Sequence, residues 1–190
     1  MPLMAWRSHF GQRAFTLAEM LVVVFIVGLL AIAALPSLNT LASPQADLLA
    51  AEVAGTLRLA MSEARRTGKY VLVDGKTQPG SLQLYLSNAN ADLPPAAGTA
   101  VVLDPLTRQA VNLTPATNTL FGNATLEARF MASGAWGQLL IYPGATQLRA
   151  FDGAGSDRGA LEAGSGVRLT GSAGDKLVAI QEVTGLVSLP

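Results

Sequence analysis

The sequence predicts an α+β protein, in which a long N-terminal α-helix precedes an antiparallel β-sheet head domain. Three observations predict this fold. Residues 13–36 contain an apolar run with a single carboxylate, Glu19. Apolar residues continue at helical spacing over residues 44–67. From Lys69 onward, short alternating segments separated by Gly, Asn, Asp and Pro replace the helical pattern. The length of 190 residues allows one domain beyond the apolar run.

The apolar run has about the 20 residues that a helix needs to span a bilayer. A charged side chain costs roughly 2.5–3.5 kcal/mol at the centre of such a helix, so Glu19 requires a compensating partner. An ordinary secretory signal peptide also has basic residues before its apolar region, and here Arg7 and Arg13 precede the apolar run. Its apolar region, however, is about 7–15 residues long and free of acids. We therefore expect a membrane-spanning half of the helix that carries a functional carboxylate.

The second half of the helix is amphipathic. Its apolar residues form one stripe at helical spacing: Leu49, Val53, Leu57, Ala60, Met61 and Ala64. Arg65 and Arg66 followed by Gly68 indicate its C-terminal end. We expect the stripe to pack against a sheet rather than to bind a partner.

The remaining residues predict the antiparallel sheet. Strands are expected at residues 70–73, 82–86, 101–103, 110–113, 125–131, 138–142, 147–151, 167–170, 176–181 and 186–189. Asp74-Gly75 is a turn pair. Residues 88–99 are expected to form a loop, and the glycine-rich residues 152–166 a flexible connection.

Two features of the predicted sheet domain invite a functional interpretation. Asp152 and Asp157 lie in a glycine-rich segment, but a calcium loop needs acids or amides at alternating positions and a Glu at the twelfth. Glu162 is in the wrong register, so we expect a turn made by Asp and Gly. Trp136 is expected to be partly buried rather than an exposed protein contact.

The segment Ala14-Phe15-Thr16-Leu17-Ala18-Glu19 resembles the signature of type IV pilins and pseudopilins. In that family, prepilin peptidase removes a short basic leader on the cytoplasmic side by cutting just before a Phe. The resemblance implies a cut between Ala14 and Phe15, followed by N-methylation of Phe15. Ala14 departs from the Gly that the family usually carries before the cut.

The same resemblance implies an assembly role for Glu19, because a Glu is the fifth mature residue in the family. Cleavage would leave a charged amine on Phe15. In an assembled filament, this amine is expected to pair with a Glu19 carboxylate of the same or a neighbouring subunit. Pro36 lies where pilins commonly carry a helix-bending proline.

The resemblance divides the chain into four segments. These are a leader at residues 1–14, a transmembrane and filament-spine helix at 15–40, its amphipathic continuation at 41–68, and a β-rich periplasmic head at 69–190. It implies a single-pass protein of the bacterial inner membrane that is incorporated into a pseudopilus. Its partners would be prepilin peptidase, other pseudopilins or pilins of the filament, and the inner-membrane assembly platform.

Charge and composition exclude several other functions. Removing Arg7 and Arg13 with the leader would leave eleven basic and thirteen acidic side chains, a formal charge of −2. This balance argues against nucleic acid as a partner, since nucleic-acid binding needs clustered Lys and Arg. The only histidine, His9, lies in the leader, and the chain has no cysteine. A mature chain without His and Cys lacks Ser-His-Asp and Cys-His catalysis and the usual zinc ligands. We therefore expect no enzymatic activity, metal or cofactor.

The stretch Glu63-Ala64-Arg65-Arg66-Thr67-Gly68, which runs directly into a strand, resembles the GspH/FimT group of minor pseudopilins. It implies a minor pseudopilin of a type II secretion system, similar to protein H of such systems. The alternative is a FimT-like minor pilin of a type IV pilus, acting in assembly priming or DNA uptake. FimT-like pilins associated with DNA uptake carry a Gly-Arg motif in the tail. Here Leu186 follows Gly185, which counts against DNA binding by the tail.

Overall fold

The structure is a computed structural model, and it describes residues 16–34, 42–87, 100–144, 148–171 and 174–189. Within these ranges the chain is α+β, as the sequence predicts. It divides into two compact units, Met1–Leu38 and Asn39–Pro190. The predicted continuity of the two helical halves and the predicted bend at Pro36 lie outside the described residues.

The first unit contains helix α1 (Leu17–Ala34), which is apolar on all sides. Glu19 is its only charged residue, and the side chains of residues 17–30 are all exposed. A helix of this composition has no polar face to turn toward water. Within the described stretches of the chain, no helix is both long enough and apolar enough to cross a membrane.

The second unit begins with helix α2 (Ala42–Thr67), which contacts strands of both sheets described below. Its predicted stripe is confirmed as a packing face, because five of the six residues are fully buried and Met61 packs against them half-buried. The helix ends as predicted at Gly68, whose φ of +66° suits glycine. The Gly68 amide donates a 3.1 Å hydrogen bond to the carbonyl oxygen of Ala64.

The described residues form eleven strands. They are β1 (Tyr70–Asp74), β2 (Leu82–Ser87), β3 (Asn112–Leu113), β4 (Thr125–Met131), β5 (Ala135–Trp136), β6 (Gln138–Ile141), β7 (Leu148–Phe151), β8 (Asp157–Ala160), β9 (Gly166–Gly171), β10 (Gly174–Ile180) and β11 (Val187–Ser188). Two 3-10 helices, Pro115–Thr117 and Thr119–Phe121, lie between β3 and β4. One sheet has the order β3-β2-β1-β6-β7-β8 and the other β11-β10-β9-β4-β5, and every neighbouring pair is antiparallel.

The buried stripe of α2 and the inward faces of both sheets form one hydrophobic core. Successive side chains along β1 point to opposite faces of the sheet. Val71 and Val73 face the main core, whereas Leu72 belongs to a smaller cluster with Leu140 and Phe151. The six-stranded sheet is therefore buried on both faces at β1, β6 and β7.

Some expected strands are shorter in the structure. Residues 101–103 and 110–111 are not strands, and they pair only through the isolated bridges Tyr85–Val101 and Leu103–Ala110. Asp104 forms the turn between them, and its Oδ1 accepts hydrogen bonds from the backbone N–H groups of the two residues after Pro105. An Asp that bonds the backbone ahead of it favours a turn over a ladder. The loop expected at residues 88–99 lies outside the described residues.

The prediction of a flexible connection at residues 152–166 was wrong. This segment contains β8 and an ordered turn around Asp152, which is 8% exposed. Asp152 Oδ1 accepts hydrogen bonds of 2.9 Å from the amides of Ala154 and Ser156, and Oδ2 binds the Arg158 guanidinium. That guanidinium lies 4.8 Å from the ring centre of Trp136, which is half-buried as expected. The Ser156 amide and the Arg158 side chain hold the pKa of Asp152 below its usual value.

This lowered pKa predicts a pH dependence of stability. The ionised Asp152 stabilises the fold above the unfolded-state pKa of about 3.9, and this contribution is lost as pH falls through the folded-state value. We expect Asp152→Asn to lower the Tm at pH 7 and to lower it less at pH 2.5. Glu127→Gln, which removes an exposed carboxylate on β4, is the matched control and is expected to change the Tm little at either pH. Thermal unfolding followed by circular dichroism measures both, and an equal Tm loss at the two pH values would contradict the prediction.

Candidate functional site

The site predicted from the sequence lies at the start of α1. Of its four residues, only Glu19 is among the described residues. Ala14, Phe15 and Pro36 lie outside them, so the cut, the methylated residue and the bend stay predictions. Thr16, the first described residue, directly precedes the helix.

Thr16 and Glu19 form a capping box. The Thr16 amide donates a 2.8 Å hydrogen bond to Glu19 Oε2, and the Thr16 hydroxyl donates to the same oxygen at 3.0 Å. The Glu19 amide in turn donates to Thr16 Oγ1 at 3.2 Å. A Thr at the N-cap and a Glu three residues later satisfy backbone N–H groups that the first turn of a helix leaves unpaired. The box therefore defines the first turn of α1 and fixes the direction of the carboxylate.

This geometry leaves one carboxylate oxygen available. Both bonds from Thr16 end on Oε2, and among the described residues no donor reaches Oε1. The positive end of the helix dipole also favours an anion at this position. A cation placed one residue before Thr16 would be close enough along the chain to meet that oxygen. The arrangement suits the binding of a nearby amine.

The sequence interpretation found Glu19 but missed Thr16. The signal was present, because Thr-x-x-Glu before an apolar run is the pattern of a capping box. The Thr16 hydroxyl lowers the cost of placing the Glu19 carboxylate in apolar surroundings, because it satisfies some of the hydrogen-bonding capacity of that carboxylate within the helix.

The basic residues near the end of α2 do not act as one patch. Arg66 pairs with Glu63 at 2.5 Å, and its hydrogen bond lowers the pKa of the Glu63 carboxyl. Arg65 points into a different groove, lined by the turn that contains Gly185 and Leu186. Gly185 has a φ of +69°, and Leu186 is 65% exposed. Among the described residues, no three His, Cys, Asp or Glu side chains are close enough to hold a metal ion.

The family model of the prokaryotic N-terminal methylation motif matches residues 10–35. This match includes the Ala14–Phe15 junction, the capping box and all of α1. Neither the curated proteins nor the solved structures gave a match to the chain. The motif indicates a type IV pilin-like substrate of prepilin peptidase, and it implies assembly with other pilins and suggests anchoring in a membrane.

Proposed function

We propose that this protein is a minor pseudopilin of a type II secretion system. Prepilin peptidase would cut it between Ala14 and Phe15, and the mature subunit would join the periplasmic pseudopilus that drives protein secretion. The observation that carries the proposal is the methylation motif at residues 10–35, with Glu19 placed in its capping box. The mature chain has neither His nor Cys, which supports a mechanical rather than an enzymatic role.

Before processing, the chain would lie in the inner membrane with residues 1–14 in the cytoplasm and the head in the periplasm. In this state the Thr16 bonds to Glu19 Oε2 partly compensate the acid without any partner subunit. A nearby cation would relieve the remaining desolvation penalty. The capping box thus lowers the cost of holding Glu19 in the membrane before processing, but it does not neutralise the charge of the carboxylate.

Cleavage would create that cation on Phe15, immediately before Thr16. Glu19 Oε1 could then accept the amine of its own chain or of a neighbour, while Oε2 stays bonded to Thr16. An ion pair in apolar surroundings is favourable only when the remaining hydrogen-bonding positions are satisfied, and the capping box meets that condition on the acid. The apolar surface of α1 would at the same time be buried against the helices of other subunits.

The layout of the second unit supports a minor subunit of the GspH/FimT group. An amphipathic helix ends at Gly68 and leads directly into β1, after which two antiparallel sheets form the head. This order supports the resemblance to the GspH/FimT group. The type IV pilus minor pilin shares the same N-terminal site and stays the alternative.

Mass analysis of the mature N-terminus tests the proposed processing. We expect the purified protein to begin with N-methylated Phe15, because the motif and the small Ala14 side chain suit prepilin peptidase. A strain without that peptidase is the control and should retain Met1. An intact Met1 in the normal strain, or a cut beyond residue 36, would overturn the proposal.

Deletion of the gene separates the two systems. A secretion pseudopilin predicts loss of protein secretion with pili unchanged, whereas a pilus minor pilin predicts loss of surface pili with secretion unchanged. Complementation with the intact chain should restore the affected function. The identity of the neighbouring genes, secretion machinery or pilus components, gives an independent answer.

A further inference from the structure

A groove with basic and apolar walls lies between the second half of α2 and the turn before β11. It has a volume of about 490 Å³. Arg58 and Arg65 supply its charge, and Met61 and Leu186 supply apolar surface. Arg58 is held by a 3.2 Å hydrogen bond from its guanidinium to the Val187 carbonyl oxygen. None of the described residues that line the groove is acidic, so its charge is uniformly positive.

The two arginines of this groove are exposed and differ from most other arginines of the protein in their lack of an acidic partner. Five arginines form ion pairs with Asp or Glu: Arg66, Arg129, Arg149, Arg158 and Arg168. Among the described residues, only Arg58, Arg65 and Arg108 do not. Glu182 belongs to the turn beside the groove, but it does not line the groove. Two of the three unpaired guanidinium groups thus line one groove.

Arg58 and Arg65 lie on the same side of α2. They are seven residues apart, which places them about 10 Å apart along the helix axis and about 20° apart around it. Met61 lies between them and also lines the groove. A partner helix with two carboxylates seven residues apart, and an apolar residue between them, has the same spacing. Each arginine could then bind a carboxylate through two parallel hydrogen bonds.

The helices described for this chain do not carry such a pair of acids. Glu19 is the only acid of α1, and the acids of α2 are Asp47, Glu52 and Glu63. No two of them are seven residues apart, so a second copy does not match the groove. The methylation motif implies assembly with other pilins, and a minor subunit would have such chains as its neighbours.

We propose that the groove around Arg58 and Arg65 docks an acidic amphipathic helix of a different pilin. The occupant follows from charge complementarity and from the helical spacing of the two arginines. Its central apolar residue would pack between Met61 and Leu186 and supply most of the affinity, whereas the ion pairs would set the register of the two helices. This inference rests on the proposed assembly role and adds the contact surface and the chemistry of the partner.

Photocrosslinking of the full-length protein in its own membrane tests the docking. The chain has no cysteine, so Ser62→Cys introduces the only thiol. Ser62 is exposed and lines the groove, so both arginines stay in place. After labelling with benzophenone maleimide, the protein should crosslink to a different pilin, within a helix that carries two acids seven residues apart, as located by mass spectrometry. Ser156→Cys, an exposed serine outside the groove, is the matched control and should not give this product.

Charge reversal in the labelled Ser62→Cys chain supplies a second readout. Arg65→Glu should reduce the product at least about fivefold, because a carboxylate then faces the acids of the partner. Arg108→Glu is the matched control, because Arg108 is exposed and lies outside this groove. Replacing the nearer acid of the located partner helix by Arg should restore the product with Arg65→Glu. Equal Tm values for Arg65→Glu and the parent chain would show that the fold is intact.

Several results would overturn the docking. These are a product with a second copy of this chain, a crosslink to a segment of another pilin without paired acids, and equal amounts of product from Arg65→Glu and Arg108→Glu. A gel shift of DNA by the full-length protein that Arg65→Glu abolishes would assign the groove to nucleic acid instead.

Leader removal, followed on the same gels, separates failure of the docking from failure of the proposed function. Absence of the product from a chain that has lost its leader and is recovered in sheared filaments overturns the docking alone. A retained leader in the normal strain shows that the proposed function has failed, and the docking that rests on it fails as well.

Discussion

Replacing Glu19 by Ala leaves leader removal intact and prevents incorporation into the filament, on the mechanism proposed above. The substitution removes both the capping carboxylate that Thr16 binds and the only acid of α1. The amine on Phe15 would then enter apolar surroundings without an anion. Removing one partner of a buried ion pair costs about 3–5 kcal/mol, and 3 kcal/mol corresponds to roughly a hundredfold weaker association.

Glu19→Gln separates the two roles of this side chain. A glutamine can take the third position of a capping box, so the hydrogen bonds from Thr16 are kept. It carries no charge and cannot neutralise the amine. We therefore expect Glu19→Gln to fail in assembly nearly as completely as Glu19→Ala. If Glu19→Gln assembles normally, the carboxylate acts through capping and the ion-pair mechanism is wrong.

The measurement has two independent readouts. Mass analysis of the N-terminus reports leader removal, and recovery of the subunit in the sheared filament fraction reports assembly. A complementation assay for secretion then links assembly to function. Normal secretion by Glu19→Ala would contradict the mechanism, whereas loss of leader removal would place Glu19 in recognition by the peptidase instead.

The helix that begins beside Glu19 could be predicted because its determinants are local. Thr16 and Glu19 are three residues apart, and the apolar run that follows them is read directly from the sequence. The same holds for α2, whose buried stripe repeats at helical spacing and whose end is marked by Gly68. Short-range patterns determine these elements, so no knowledge of tertiary contacts is needed.

The features that escaped prediction depend on residues distant in sequence or on very short segments. β5 has two residues, too few to show alternation, and it pairs with the end of β4. The composition around Asp152 suggests a flexible segment, but in the folded chain its carboxylate binds Arg158, whose guanidinium lies over the Trp136 ring. Leu48 and Leu120 line one groove, although they are far apart in the sequence.

Gly166→Ala has the largest expected effect on the stability of the sheet domain. Gly166 lies in β9, a strand hydrogen-bonded on both sides, opposite Ala179 of β10 and Arg129 of β4. A Cβ atom there would lie against the carbonyl oxygen of Val178, well inside contact distance, and 3.0 Å from the Ala179 Cα. Both neighbours are backbone atoms of a paired strand, so they cannot move aside as a flexible side chain could.

We expect Gly166→Ala to destabilise the domain by about 3 kcal/mol, the upper end for inserting a group into a packed core. For a domain of this size, that loss lowers the Tm by roughly 6–12 °C. Gly171→Ala in the same strand is the matched control, because the nearest atom to its Cβ is the Ala124 Cβ at 3.8 Å. We expect that substitution to change stability by no more than about 1 kcal/mol. Thermal unfolding of both proteins measures the difference, and equal Tm values would contradict the assigned pairing of β9 with β10.

The Gly166→Ala and Glu19→Ala proteins should be lost at different steps between leader removal and filament assembly. Gly166→Ala perturbs the unit Asn39–Pro190, whereas the methylation motif that prepilin peptidase would read lies at residues 10–35. The leader should therefore still be removed from Gly166→Ala, but the mature subunit should be degraded faster, since a larger fraction of its head is unfolded. Glu19→Ala should give a stable, processed subunit that does not assemble. A pulse-chase of both variants distinguishes loss of the head from loss of the ion pair, because only the first shortens the lifetime of the processed chain.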